Sequence, residues 1–462
     1  MLMAVQSAHA TEAGIDAGWV VANGEPVDRV AVIDTLGVRW VRVNFRLDAW
    51  ASPADPTPHG TEGMTWFAAY DRAIDAFIAR GYQVYGLIND EAVATDHPHG
   101  SAPWIADYVA NATQIIDHFK DRVRVYEIIN EPNDWAGGSS SRVSPRAFAS
   151  ILQDTYLAVK RDHADDRCWQ VDLVSGALFS FDDNSSDDYL AQVYAIGRTE
   201  LAWDYTREVT GSFPLDGIGY HIYAAQGSDS PVSDVGASMR ANLAAIRSVV
   251  AANDVSKPLY VSEWGFRADA VGDQGQADRL EAGFDALHAE GDVALGLYFS
   301  LQDFPDNPWG VFDDAMNRRP SADRLAEVGA VLGPPRGAAV IEVATSSIEA
   351  GQLGEITVTL ENRGTGPWSS DVRLGAATGC PDAAGLNELS WEPDAGYANG
   401  IADARVFLDR EVAPGEVIEV RVPVRAPSQA GTYAFAARMV QEGVEWFGAT
   451  AKATIDVTNS RE

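Results

Sequence analysis

Two glutamates stand at the ends of strand-like runs, and each has unusual neighbours. Glu131 follows RVRVYEIIN and lies between Asn130 and Pro132, while Glu263 follows PLYVS and precedes Trp264. A strand that ends in a plain turn needs only Gly, Asn or Asp, so a carboxylate fixed there by a proline needs another explanation. Two carboxyl groups that face one pocket can divide the work of catalysis, one as a proton donor and the other as a base or nucleophile.

Further polar side chains lie at the ends of two other strand-like runs. Arg42 and Asn44 lie near the end of VRWVRVNF, and His221 and Tyr223 lie at the end of LDGIGYHIY. Alternate residues of a strand share a face, so His221 and Tyr223 share theirs with the two glycines of their run. This pattern predicts small side chains deep in the fold and large polar ones at its mouth.

The same alternation predicts where Glu263 points. In PLYVSE, Leu259 and Val261 have the parity of Glu263, and so the three are expected on one face of a strand. We therefore expect two glutamates, Glu131 and Glu263, to project over one opening from two different strands.

Eight strand-like runs alternate with segments that have the 3.6-residue period of amphipathic helices. The runs cover residues 18–22, 38–45, 82–88, 123–129, 170–176, 215–223, 258–263 and 293–300. Eight parallel strands, each followed by a helix, form a closed (β/α)8 or TIM barrel. An open doubly wound sheet alternates in the same way, but ANGEPVD after the first run lacks the GxGxxG loop typical of that fold. The sequence therefore favours an α/β protein of the barrel type, with its chemistry at the C-terminal strand ends.

A second domain is predicted after the Gly/Pro break GPPRGAA at residues 333–339. From there the hydrophobic period changes from 3.6 to 2, in runs such as EITVTLENRG and VIEVRVPVRAP that are separated by turn residues. This pattern indicates a small antiparallel β-sandwich. We expect a barrel over residues 14–334 and an accessory sandwich over residues 335–462.

Charge and hydropathy narrow the range of partners. The 462-residue chain has a formal net charge of −33 and four lysines, Lys120, Lys160, Lys257 and Lys452. No basic stripe is present to hold a phosphate backbone, so nucleic acid is not expected as a partner. No apolar run reaches the ~20 residues that a membrane span needs. The lysine-poor, acid-rich surface fits a salty or acidic medium and a genome composition in which Arg replaces Lys equally well.

The cysteines and the first residues carry little information. Cys168 and Cys380 lie in different predicted domains, which favours two separate buried thiols over a disulfide. No zinc or iron–sulfur spacing is present, and so no metal or other cofactor is expected. The segment Ala8-His9-Ala10 resembles the cleavage end of a signal peptide, but no charged segment precedes it. Secretion and a cytoplasmic location therefore both remain open, as does the oligomeric state.

Enzymes that cleave glycosidic bonds commonly use two carboxyl groups that face each other across the substrate. One protonates the departing oxygen, and the other attacks the anomeric carbon or activates water. Trp50, Trp264 and Trp309 lie near predicted strand ends and would offer flat apolar faces to sugar rings. The residues themselves therefore predict a carbohydrate substrate.

The motifs resemble a known group of enzymes. The pieces VRVNF, YEIINEP, GYHIY and LYVSEWG occur in the order of the second-, fourth-, sixth- and seventh-strand motifs of retaining β-glycosidases of glycoside hydrolase clan A, especially families 5 and 39. The resemblance covers about residues 18–332, and its NEP and SEWG contexts are the most specific parts. It implies a hydrolase that cleaves β-linked oligo- or polysaccharides by double displacement.

The resemblance also implies a role for each matched residue. Glu131 would be the general acid/base, and Glu263 would be the nucleophile. Asn130 would bind the 2-hydroxyl of the sugar under attack, while Arg42 and Tyr223 would orient the nucleophile. His221 would help to fix the site or contact the substrate. A retaining mechanism implies carboxyl groups ~5–5.5 Å apart.

One position departs from the clan pattern. Many members carry a tryptophan platform at the end of strand eight, but here the run is LYFSLQDF, with Tyr298 and Phe299 at that place. Trp309 in the next loop could replace the platform or could simply pack that loop. The departure leaves the identity of the sugar open. Loop shape decides between internal cleavage and the alternative of an exo-acting β-glycosidase on small glycosides, and the sequence leaves that choice open too.

Other candidate residues and functions have weaker support. Glu127 has the parity of Glu131 and is expected to be a paired structural carboxylate. His97 and His99 resemble a metal-ligand pair but lack a third ligand, which favours a polar loop. The acidic run of Asp182, Asp183, Asp187 and Asp188 is expected to be solvated. The alternative function is a carbohydrate-binding barrel without catalysis.

The predicted sandwich has a resemblance of its own. NRGTGPW, VAPGE, VPVRAPSQAGTY and MVQEGVEWFG are similar to the four-tryptophan, immunoglobulin-like domain first described in autophagy receptors. Trp368, Trp391 and Trp446 are the matching tryptophans. They are expected either in the sandwich core or in sugar binding, and the domain is expected to have a spacer or accessory role.

Overall fold

A computed structural model describes residues 11–134, 142–161, 163, 171–181, 186–377, 388–392 and 404–459. In this part of the chain, eight parallel strands close into a barrel. They are β1 (Glu12–Asp16), β2 (Trp40–Phe45), β3 (Gln83–Ile88), β4 (Val125–Ile128), β5 (Asp172–Phe181), β6 (Gly217–Tyr223), β7 (Leu259–Trp264) and β8 (Val293–Tyr298). The predicted barrel is confirmed.

Helices follow the strands, as the 3.6-residue periods predict. The α-helices of the described residues are α1 (Val30–Ile33), α2 (Trp66–Ala79), α3 (Ala102–Phe119), α4 (Pro145–Tyr156), α5 (Asp187–Glu200), α6 (Trp203–Thr210), α7 (Val232–Asn253), α8 (Ala268–Val271), α9 (Asp273–His288) and α10 (Pro320–Val331). Two of them are preceded by a serine and have a proline at one of their first two positions. The Ser101 and Ser144 side chains accept backbone N–H groups of α3 and α4, which fixes where these helices start.

The first strand was predicted in the wrong place. The prediction was 18–22, but β1 is Glu12–Asp16, and Val21–Ala22 pairs with Glu25–Pro26 in a two-residue hairpin. Asn23 and Gly24 at its tip have φ of 53° and 78°, the left-handed pair that an Asn-Gly turn adopts. The turn forces the chain back on itself, so this run cannot continue as a barrel strand.

The direction of the side chains on β7 also differs from the prediction. Its pairing with β6 shifts in register between Val261 and Glu263, which leaves Ser262 as an extra residue. Because of this irregularity Glu263 pairs with His221 and faces the barrel interior, while Val261 pairs with Tyr220 and faces outward. The predicted shared face of Val261 and Glu263 is therefore wrong, although Glu263 does face the interior.

The C-terminal part of the chain forms two antiparallel sheets, with one parallel pair. The strands are β9 (Ala338–Ala344), β10 (Ile348–Glu349), β11 (Leu353–Asn362), β12 (Val372–Ala376), β13 (Ser390–Trp391), β14 (Arg405–Phe407), β15 (Val417–Arg425), β16 (Gly431–Gln441) and β17 (Glu445–Thr458). Their orders are β9-β11-β15-β13 and β10-β17-β16-β12-β14. Side chains alternate between a buried core and solvent, as in β15, so the predicted sandwich is confirmed.

The signature tryptophans of the sandwich have different environments. Trp368 and Trp391 are buried in its core, and Trp391 stacks on Phe435 with ring centroids 5.6 Å apart. Trp446 is 38% exposed, and the Arg405 guanidinium lies 4.8 Å from its ring centroid. Two of the three tryptophans therefore serve packing.

The chain divides into two compact units. One comprises Met1–Ile74 and Val84–Gly333, and the other comprises Asp75–Gln83 and Pro334–Glu462. Among the helices of the described residues, none is long and apolar enough to cross a membrane. The predictions for Cys168, Cys380, Asp182 and Asp183 lie outside the described residues.

Candidate active site

Arg42 is the centre of a buried polar cluster at the C-terminal end of the barrel. Its Nη1 donates to the nucleophile candidate Glu263 and to Asp16 Oδ2, the latter at 3.1 Å. Its Nη2 donates to Glu127 Oε1 at 3.1 Å and to Asn130 Oδ1 at 2.8 Å. One guanidinium thus joins groups from β1, β4, β7 and the segment after β4, because all these strands run parallel and end at the same rim.

Glu263 lies in an environment that favours its ionised form. The Tyr223 hydroxyl donates to Glu263 Oε2 at 2.8 Å, and Glu263 as a whole residue is 8% exposed. Burial by itself raises the pKa of Glu263, but the charges of His221 and Arg42 and the hydrogen bonds from Tyr223 and Arg42 outweigh it. The pKa is therefore lower than usual, which keeps this group negative at neutral pH.

Glu131 lies in an environment that favours its protonated form. Burial is the largest effect and raises the pKa of Glu131, and the charges of Glu263 and Asp134 raise it further. The hydrogen bond and charge of His221 oppose this rise but do not cancel it. Neighbouring carboxyl groups whose pKa values are moved in opposite directions are typical of an acid and a nucleophile.

The two carboxyl groups are close together, with His221 between them. His221 Nδ1 lies 2.8 Å from Glu131 Oε1 and 3.7 Å from Glu263 Oε2. One oxygen of each carboxylate and one nitrogen of His221 lie within 4.8 Å of one another. This trio has the spacing of a metal site, but the Arg42 guanidinium bound to Glu263 would repel a cation there. The arrangement suits the transfer of a proton better than it suits a metal.

The backbone that presents Glu131 is strained. Ile129 has φ of +69° and Glu131 has φ of +44°, in the left-handed region that a β-branched residue such as Ile129 adopts rarely. Asn89 Oδ1 accepts the Asn130 backbone N–H at 2.9 Å, and the Asp134 backbone N–H is bonded to the Glu131 carbonyl. These contacts stabilise a backbone conformation that Ile129 and Glu131 would rarely adopt without them. Such conformations are common at functional sites.

Two site residues were missed by sequence reasoning, Asp16 and Asn89. Asp16 ends β1, and it was missed because β1 was predicted too late in the chain. Burial raises the pKa of Asp16 and outweighs the opposing charge of Arg42. Asn89 follows β3 directly, in GLIND, and its place at a strand end was the available signal. The pairing expected for Glu127 is confirmed, since it is fully buried and also accepts from the Tyr85 hydroxyl at 2.8 Å.

The predicted sugar-binding aromatics divide into buried and accessible rings. Trp264 is fully buried against Phe284 and Tyr298, and a Cβ at Gly283 would lie 2.2 Å from its ring. Trp50 is 1% exposed and also cannot present a face. The predictions for these two tryptophans are therefore wrong.

Trp309 lies beside the cluster. Its ring centroid is 5.1 Å from that of Tyr223 and 6.2 Å from that of Phe299, and it is only partly buried. Phe299 is also partly buried and stacks on Phe304, whereas Tyr298 is fully buried. Of the aromatic residues after β8, Phe299 and Trp309 are therefore the partly exposed ones beside the cluster.

The remaining candidates have protein partners. Asn44 Nδ2 donates to Glu91 Oε2 at 2.7 Å, one step further out on the rim than Arg42. His97 Nδ1 contacts Asp107 at 2.8 Å, and the His99 ring packs on Trp104. The two histidines are therefore parts of a loop, as expected. Asp187 and Asp188 begin α5, so they do not lie in a loop; Asp188 is exposed, as predicted for the acidic run, and Asp187 is only partly exposed.

One known protein family is similar to the C-terminal part of the chain. Residues 343–457 match the family model of the Ig-like domain from next to BRCA1 gene. This match agrees with the predicted immunoglobulin-like sandwich. No curated protein matches the chain.

Several solved structures are similar to the chain at low sequence identity. A family 39 glycoside hydrolase from Bacteroides cellulosilyticus WH2 is 14% identical over 90% of this chain and 81% of that one, with a TM-score of 0.46. GH5_18 from Streptomyces cattleya is 15% identical over 75% and 86%, with a TM-score of 0.48. A GH128 endo-β-1,3-glucanase from Sorangium cellulosum is 17% identical over 69% and 98%, with a TM-score of 0.42. Similarities this weak do not assign an activity to the chain.

Proposed function

We propose that the barrel is a retaining β-glycoside hydrolase with Glu263 as nucleophile and Glu131 as general acid/base. The observation that carries this proposal is the pair of carboxylates with oxygens within 4.8 Å and with pKa values moved in opposite directions. An inverting enzyme needs carboxyl groups ~6.5–9.5 Å apart to admit a water molecule between them and the sugar. The shorter separation favours direct attack by Glu263.

In the first step, Glu263 attacks the anomeric carbon while Glu131 gives its proton to the glycosidic oxygen. The bond between that carbon and oxygen breaks, the leaving alcohol departs neutral, and a glycosyl ester with Glu263 forms. Loss of the negative charge on Glu263 then removes one of the effects that raise the pKa of Glu131. Glu131, now ionised, can accept a proton from water in the second step, when water attacks the same carbon and Glu263 leaves.

The supporting residues take roles that their contacts allow. Arg42 and Tyr223 fix both oxygens of Glu263, and burial together with nearby carboxylates raises the pKa of Tyr223 so that it remains a donor. The Asn130 oxygen is taken by Arg42, so its amide nitrogen is left to donate to the 2-hydroxyl of the sugar. Trp309, on the same side as Tyr223, would stack on that sugar. The sandwich over residues 335–462 would serve as an accessory domain to the catalytic barrel over 14–334.

The stereochemistry of the product tests the proposal. The purified chain is screened on aryl β-glycosides and on β-linked polysaccharides, and the first product of the best substrate is followed by proton NMR before mutarotation. We expect the β-anomer to appear first, because two displacements restore the configuration. An α-anomer would overturn the retaining mechanism, and no hydrolysis of any β-glycoside would favour the alternative of a non-catalytic binding barrel.

The pH dependence of kcat/KM should be bell-shaped, with limbs that belong to the two glutamates. The acidic limb reports ionisation of Glu263, whose pKa is lowered, and the basic limb reports deprotonation of Glu131, whose pKa is raised. Replacing Glu131 by Gln removes the basic limb and leaves the acidic one. Initial rates between pH 3 and 10 on an activated aryl glycoside check this, and a basic limb that persists in Glu131→Gln would contradict the assignment.

A further inference from the structure

An exposed tryptophan lies at the mouth of the barrel, outside the cluster described above. Trp19 is 53% exposed and stands in the turn that follows β1. Other tryptophans of the barrel, such as Trp66 and Trp203, are fully buried. An exposed indole keeps a large apolar face and an N–H group available for contact with a ligand.

The side chain of Arg46 contacts the exposed Trp19 ring from one side. The Arg46 guanidinium lies 4.2 Å from the Trp19 ring centroid, a cation–π contact. Arg46 Nε is paired with Glu91 Oε1 at 3.2 Å, and the other oxygen of Glu91 accepts from Asn44 at 2.7 Å. Residues after β2 and β3 thus fix the orientation of an indole after β1, and the face away from Arg46 is left for a ligand.

Hydrogen bonds connect the segment that carries Trp19 to Glu263, the proposed nucleophile. The Gly18 backbone N–H donates to Asp16 Oδ1 at 2.7 Å, and the other oxygen of Asp16 accepts from Arg42, which also donates to Glu263. Gly18 has φ of +67°, which permits the sharp exit from β1. The indole is therefore set at a fixed offset from Glu263 by hydrogen bonds, as a subsite for a polymer requires.

The position of Trp19 also indicates the direction of the substrate. Glu131, which protonates the leaving oxygen, follows β4, whereas β1 lies between β8 and β2, three strands away around the barrel. Sugars of the leaving group would lie on the side of Glu131. Trp19 would then face the sugars on the non-reducing side of the cleaved bond.

We propose that Trp19, backed by Arg46, stacks on the sugar next to the one attacked, on its non-reducing side. This inference rests on the proposed function and deepens it, because it selects β-linked oligosaccharides of neutral sugars over single glycosides. The ion pair with Glu91 neutralises Arg46, so the site offers an apolar face rather than a net charge to its ligand. The substrate would therefore have at least two sugars on the non-reducing side of the cleaved bond.

Two matched substrates test the subsite. The ratio of kcat/KM for an aryl β-disaccharide to kcat/KM for the corresponding aryl β-monosaccharide is measured in the full chain and in variants. Trp19→Ala should lower this ratio about tenfold, the scale of one lost stacking contact, and Trp19→Phe should retain part of it. Tyr205→Ala on α6 is the control, since Tyr205 is a comparably exposed aromatic, 57% accessible, and should leave the ratio as in the wild type.

The outcomes separate the subsite from the catalytic assignment. If the wild type hydrolyses both substrates and Trp19→Ala leaves their ratio unchanged, the subsite is wrong and the proposed function stands. If the wild type hydrolyses neither substrate, the proposed function fails, and calorimetric titration with β-linked tetrasaccharides decides the subsite. In that measurement Trp19→Ala must weaken binding about tenfold, and equal binding or none would overturn the inference.

Discussion

Replacing Glu263 by Gln is expected to reduce kcat by at least about 10⁴-fold, with little change in the fold. The amide is close in shape to the carboxylate, but it is a poor nucleophile and carries no charge. It also meets Arg42 and Tyr223, which both donate to Glu263, so one of these donors would face the amide N–H₂ group. The expected fall in kcat therefore has two causes, the loss of the proposed nucleophile and a changed hydrogen-bond pattern around residue 263.

Steady-state kinetics on the best aryl β-glycoside measure this effect, with circular dichroism to check the fold. Glu281→Gln is a matched control, because this glutamate on α9 is 46% exposed and pairs only at the surface with Arg324. The control should keep wild-type kcat. Activity above about one hundredth of wild type in Glu263→Gln would show that another group attacks the sugar, since loss of a nucleophile costs far more than that.

Much of the site could be predicted from sequence because it lies at strand ends. In a parallel barrel, every C-terminal strand end reaches the same rim, so short motifs far apart in sequence can be placed together without knowledge of the contacts. This is how Arg42, Glu131, His221 and Glu263 were predicted to meet. The strain at Ile129, which presents Glu131, gives no signal in sequence, because it depends on contacts such as the one from Asn89.

The errors arose where a local rule was applied without its exceptions. Side-chain alternation was used for Glu263, but the extra residue Ser262 shifts the register, and Glu263 faces the interior for that reason. The residue after an inward-facing Glu263 must face outward, which places Trp264 against α9 instead of in the cleft. At the first strand, the Asn23-Gly24 turn was a readable signal of a hairpin, and its neglect displaced β1 and hid Asp16.

Arg42 is expected to be the residue whose loss most affects stability and activity together. It holds Asp16, Glu127 and Glu263, which are all buried, and their negative charges raise its own pKa against the opposing effect of burial. In Arg42→Met the three carboxyl groups would remain without their cation. Removing one partner of a buried ion pair costs about 3–5 kcal/mol of unfolding free energy, and the pKa of Glu263 would rise with it. At a given pH a larger fraction of the proposed nucleophile would then be protonated, although the charge of His221 would still lower its pKa, and kcat/KM would fall.

The pH dependence of unfolding distinguishes this explanation from lost packing. In Arg42→Met the folded-state pKa values of Asp16 and Glu263 would lie above their unfolded values, so their neutral forms suit the fold. Stability is then greatest at low pH and is lost as the pH rises through the folded pKa values. Urea denaturation at pH 4 and pH 7 should show a larger deficit relative to wild type at pH 7. A deficit that is equal at both pH values would instead indicate a cavity.

A second substitution measures how much of the unfolding free energy lost in Arg42→Met is due to the buried charge of Glu127. Glu127 touches Arg42 and Tyr85 but lies deeper than Glu263, so Glu127→Gln in the Arg42→Met background removes one buried charge without touching the nucleophile. We expect the double variant to recover part of the lost unfolding free energy at pH 7 but not the lost activity. The reason is that charge balance sets the stability of this cluster, whereas kcat depends on the donor that Arg42 directs at Glu263. A double-mutant cycle measures the coupling, and additive losses would contradict a shared charge cluster.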